Sequence, residues 1–96
     1  MAEIIDILGE AEVLAQLAEE AAELAQAALK LRRVLDGRNP TPMTETDCRA
    51  ELIEEYSDVV HCAMELCLTE NLYLISEKHA RWCRRLGIEP DGWCDP

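Results

Sequence analysis

Apolar positions recur along this chain at the spacing of a helix buried on one side. Between residues 10 and 36, Leu14, Leu17, Ala21, Leu24, Ala28, Leu31 and Leu35 alternate at steps of three and four. That seam predicts a single helix about 40 Å long at 1.5 Å per residue. Gly37 supplies its stop, and Lys30, Arg32 and Arg33 suit the negative end of its dipole. Ahead of it, residues 1–8 predict a short helix that Gly9 breaks. Asn39-Pro40-Thr41-Pro42 places a connection over residues 38–43, because prolines at alternate positions cannot occupy a helix interior. Thr44 with Asp47 predicts the capped start of a helix reaching about Leu68, with Leu52, Tyr56, Val59, Ala63 and Leu66 buried and Ile53, Val60 and Cys67 beside them. Thr69-Glu70-Asn71 can cap a last helix over residues 72–86, ended by Gly87; the alternative is one helix running on through Thr69. Its apolar face is Leu72, Ile75, His79, Trp82 and Leu86, while Lys78, Arg81, Arg84 and Arg85 make it the one basic element. Residues 88–96, with two Pro and one Gly, predict an irregular tail.

Composition narrows the class to all-α. Apolar residues reach 49% mostly through Ala and Leu, with no Phe, which suits closely packed helices and not a sheet. A chain of 96 residues is a single domain, 1–96, with its core over about 10–86 and the tail over 87–96. Alone it buries only a modest part of its surface, so association is expected. A net charge of -11 argues against nucleic acid or an anionic membrane as partner. No uncharged apolar run approaches the roughly 20 residues of a membrane span. The acidic opening Met1-Ala2-Glu3 is unlike a secretory signal. Five cysteines without a C-x-x-C pair argue against a disulfide framework or a zinc site, and the expected location is the cytoplasm.

Two acidic segments lie on two of these helices. At about 100° per residue, Glu20 and Glu23 fall on one shoulder of the first seam, roughly 60° and 120° from Leu17. Glu55 and Asp58 occupy the matching shoulder of the later helix, with Glu51 one turn before Glu55. If the helices pack antiparallel, four or five carboxylates converge on a groove, where mutual repulsion raises their pKa values and destabilises the fold unless a cation compensates. Ligands offering only oxygen select Mg²⁺ or Mn²⁺ over zinc, and Mg²⁺ prefers phosphate oxygens and water for its remaining positions. The expected metal ligands are therefore Glu20, Glu23, Glu55 and Asp58, with one of them or Glu51 as general base, and the expected substrate is a nucleotide or another polyphosphate. His61 and His79 fall outside such an oxygen set, Tyr56 reads as packing, and Trp82 reads as a core or interface anchor.

Glu20-x-x-Glu23 followed by Glu55-x-x-Asp58, in the wording LAEEAAELAQAALKL and ELIEEYSDVV, resembles the paired signature of the MazG-like all-α nucleoside triphosphate pyrophosphohydrolases. The likeness spans about residues 10–86, although residues 24–54 make a longer stretch between the motifs than many members have. It implies a four-helix bundle-like core, assembly as a homodimer or homotetramer, Mg²⁺ dependence, and cleavage of a (deoxy)nucleoside triphosphate to monophosphate and pyrophosphate, a nucleotide-pool house-cleaning activity. Phosphate contacts in such enzymes come from basic residues, assigned here to Lys78 and Arg81. Two other readings compete. One is a helical interaction protein that uses the seam to bind its partner, the other a relative that binds nucleotides without cleaving them.

Overall fold

The computed structural model describes residues 3–37 and 42–90. Among them every regular element is a helix: α1 (Ile4–Leu8), α2 (Glu10–Asp36), α3 (Glu45–Glu65) and α4 (Leu72–Leu86). The ends follow local chemistry. Thr44 Oγ1 accepts from the Asp47 amide at 3.1 Å at the start of α3, and Asn71 Oδ1 accepts from the Leu74 amide at 3.1 Å at the start of α4. At the end of α2, Gly37 takes φ 67°, a left-handed value open to a residue without Cβ, and its N–H donates to the Arg33 carbonyl at 3.0 Å. Most of the expected connection, residues 38–41, and of the expected tail, residues 91–96, lies outside the described residues.

α3 stops at Glu65, three residues before the expected end. There Cys67 adopts φ 56° and the Leu68 amide donates to the Ala63 carbonyl at 2.9 Å. The chain thus turns before Asn71, and the last two helices are separate.

α2 and α3 pack along one another, and α1 folds against the start of α2. The pair is antiparallel: Lys30 meets Glu51, Glu23 meets Glu55, and Glu20 lies near Cys62. α2 turns Val13, Leu17, Glu20, Leu24, Ala27 and Leu31 towards α3. Of these Val13, Ala27 and Leu31 are buried. α3 answers with Cys48, Leu52, Glu55, Val59 and Cys62, of which the two cysteines are buried.

This seam is rotated from the expected one. Leu17, Leu24 and Leu31 belong to it, but Leu14, Ala21, Ala28 and Leu35 are exposed, as are Ile53 and Tyr56 on α3. The reason is that α2 is apolar on two sides. Stripes through Val13 and through Leu14 both satisfy the three-and-four spacing, and the α3 side chains decide which is covered. α4 has no comparable interface with the other helices. Trp82 and Leu86 on its apolar face are 63% and 64% exposed. The radius of gyration, 17.1 Å, exceeds the roughly 12–13 Å of a compact chain this long.

Candidate metal centre

The antiparallel register sets the second turn of one acidic segment beside the second segment. Glu20, Glu23 and Glu55 each bring one carboxylate oxygen within 4.8 Å of the others. Glu20 and Glu55 are half-buried because they stand in the α2–α3 seam itself, not on its shoulder, and Glu23 is exposed at its edge. Gln16 Nε2 donates to Glu20 Oε1 at 2.8 Å. The other oxygen of Glu20 and one oxygen of Glu55, both Oε2, are buried without any protein hydrogen bond. Such atoms are rarely left without a partner.

The electrostatics carry the same strain. The Gln16 bond holds the Glu20 carboxyl down, yet desolvation and the charges of Glu23 and Asp58 outweigh it and raise the pKa above its ordinary value. Contact with the Glu55 carboxylate and its charge raise Glu23. The Cys62 thiol is pushed up by burial and then by Glu20, Asp58 and Glu65, which makes it a poor nucleophile.

Asp58 is not part of the close trio. It lies near enough to Glu20 to raise its pKa and lines a neighbouring cavity of about 170 Å³ with His61, Cys62 and Glu65, walled by Ile4 and Leu8 of α1. Glu51 is held by Lys30, whose Nζ donates to both carboxylate oxygens at 3.0 and 3.2 Å. These two border a larger cleft of about 490 Å³ with Glu23, Gln26, Arg33 and Glu55. Lys78 and Arg81 line a different cleft on α4 with Trp82 and Arg85.

Lys30 and Arg33 are the basic side chains that share a cleft with the carboxylates, whereas the sequence points to them only as C-terminal charges of α2. A signal was present, since Lys30 follows Glu23 by two helical turns on the same face. The trio fits a hard divalent cation on donor chemistry alone: three carboxylates, two orphaned oxygens and no nitrogen or sulfur ligand among them. Comparison with family models, with characterised proteins and with solved structures gives no match for this chain.

Proposed function

We propose that the protein is a Mg²⁺- or Mn²⁺-dependent nucleoside triphosphate pyrophosphohydrolase. It takes ribo- or deoxyribonucleotides to the monophosphate and pyrophosphate and so clears unwanted nucleotides from the cytoplasmic pool. The observation that carries this reading is the pair of buried, unpartnered oxygens on Glu20 and Glu55 inside a trio of carboxylates. Glu20, Glu23 and Glu55 would hold the cation, and Asp58 would complete the ligand set from the side of the smaller cavity. When bound, Mg²⁺ supplies charge neutralisation at the phosphates and lowers the pKa of water.

The chain's own residues do the rest. Lys30 and Arg33, on the rim of the larger cleft, face the charge that builds on the departing pyrophosphate. Lys78 and Arg81 would serve that purpose only from another subunit or after movement of α4. A carboxylate of the cluster takes the proton of the attacking water as the bond between the α and β phosphates breaks. Glu51 could do so only by giving up Lys30. The active form is a homodimer or homotetramer.

The reading is tested by thermal unfolding with and without Mg²⁺ together with an assay of pyrophosphate release. It expects Mg²⁺ to raise the melting temperature, and Glu55→Gln to remove both that rise and the release. A second reading, a helical interaction protein, draws on the exposed Leu14, Ile53, Tyr56 and Met64. It expects neither effect.

A further inference from the structure

α1 adds nothing to the buried seam of the α2–α3 hairpin, yet it closes a cavity beside the carboxylates. No residue of Ile4–Leu8 is buried, and Ile7 is 73% exposed. Ile4 and Leu8, one turn apart on the same face of α1, nevertheless wall the cavity of about 170 Å³ that Glu20, Asp58 and Cys62 line from α2 and α3. Its remaining apolar walls, Val13 and Cys62, are buried between α2 and α3 and move only if those helices part. α1 is the wall that can move by itself.

Its attachment permits that movement. One residue, Gly9, ends α1 and begins α2. The Gly9 N–H donates back to the Ile5 carbonyl at 2.8 Å, and the Gly9 carbonyl accepts from the Val13 amide at 3.2 Å. The first bond belongs to α1 and the second to α2. Turning about the two Gly9 torsions that lie between them therefore swings α1 as a unit and breaks neither bond. At the other end of α1 the Glu3 amide donates to Asp6 Oδ2 at 3.0 Å, which ties off the short helix within itself.

Gly9 holds φ 88° and ψ 155°, a region essentially reserved for glycine. A Cβ at this position would meet nothing within 4 Å, so the backbone torsion and not lack of space is what requires glycine.

We propose that α1 is a lid that pivots at Gly9 and opens and closes the cavity beside Glu20 without disturbing the α2–α3 hairpin. The lid goes beyond the hydrolase reading, and its test needs neither nucleotide nor metal. Under that reading it governs when the part of the substrate beyond the phosphates enters and leaves.

Two cysteines of the same helix report on the motion. Cys62 and Cys48 are both buried on α3, but Cys62 lines the cavity under α1, whereas Cys48 lies about 21 Å back along the helix. Opening of the lid bares Cys62 alone, while parting of the hairpin bares both.

Timed alkylation in EDTA, read at each cysteine by mass spectrometry across a urea series, tests the proposal. In the wild-type chain the Cys62 rate should rise less steeply with urea than the Cys48 rate, because lifting α1 exposes less surface than parting the hairpin. Leu8→Ser weakens the grip of the lid, and Gly9→Ala penalises the torsion that holds it closed. Each should speed labelling of Cys62 by about tenfold and leave Cys48 within about twofold of wild type. D-alanine at position 9, introduced by chemical synthesis, favours the positive φ and should slow Cys62 instead.

Cys62 and Cys48 labelling in step, with one dependence on urea in wild type and in both variants, would overturn the proposal, since only unfolding of the hairpin would then reach Cys62. A Cys62 rate that responds alike to either hand of alanine would overturn the hinge at Gly9. Absence of pyrophosphate release from every nucleotide, with the labelling ratios as expected, would remove the hydrolase reading and leave the lid standing.

Discussion

Replacing Lys30 by Met should have two effects of opposite sign, depending on whether Mg²⁺ is present. Lys30 Nζ donates to both oxygens of Glu51 at 3.0 and 3.2 Å, and the two side chains are each 30% exposed. A pair in that setting lies at the upper end of the range for surface ion pairs, about 1 kcal/mol, because part of its Coulomb attraction is spent on desolvation and side-chain ordering. For a domain of this length about 1 kcal/mol corresponds to a melting shift of roughly 4–8 °C. In EDTA the Lys30→Met protein should therefore melt lower by that amount, and 1 M salt should shrink the gap.

The freed Glu51 carboxylate then stands in the cleft shared with Glu23 and Glu55. It adds a fourth negative group near the trio, so added Mg²⁺ should raise the melting temperature of Lys30→Met more than that of wild type. A double-mutant cycle with Glu51→Gln, followed by circular dichroism, isolates the pair term. Additive single effects with a coupling near zero would show that the pair contributes nothing. An equal Mg²⁺ shift in wild type and variant would show that Glu51 lies out of reach of the cation.

Other outcomes follow from the same geometry. Glu20 and Glu23 have pKa values raised above the ordinary 4.5 in the folded state, so their contribution to stability is complete below that value and is lost as pH rises through the folded values. Melting in EDTA should therefore fall as the pH is raised above 4.5, and Mg²⁺ should flatten or reverse the slope; a flat EDTA profile would contradict the strained cluster. Leu31→Ala, at one of the few buried positions of the hairpin, should cost about 2–4 kcal/mol in urea unfolding. Cys67→Gly should stabilise by about 0.5–1 kcal/mol, since a non-glycine residue at φ 56° carries a left-handed penalty. Timed alkylation with mass spectrometry should modify exposed Cys67 well before buried Cys62, whose thiol is held up by burial and by Glu20.

Helix ends were legible wherever one residue decides them. Gly37, Thr44, Asn71 and Gly87 end or cap helices as their side chains, or lack of one, dictate. Of the acidic cluster, the pairing of Glu20 with Glu23 was legible in its i, i+3 spacing, whereas the register of α3 against α2 decides that Glu55 joins them and Asp58 does not. The phase of α2 was not. An alanine-rich helix offers two apolar stripes, and only the side chains of α3 select the one holding Val13 and Leu31, which draws Glu20 into the seam. The Lys30–Glu51 pair was hidden for a related reason, because register between two helices joined through residues 38–43 is a property of their packing and not of either helix alone. For α4 the apolar face could be read, but not that it would stay largely uncovered, since a strong helical stripe does not name what it packs against.

Pyrophosphate release from a panel of ribo- and deoxyribonucleoside triphosphates, measured with Mg²⁺ and again with EDTA, tests the hydrolase reading most directly when Glu55→Gln is run beside wild type. Release that requires the cation and disappears in Glu55→Gln, while the circular dichroism of that variant stays helical, is the predicted result. Release that survives EDTA or the substitution, or no release from any nucleotide, would contradict it.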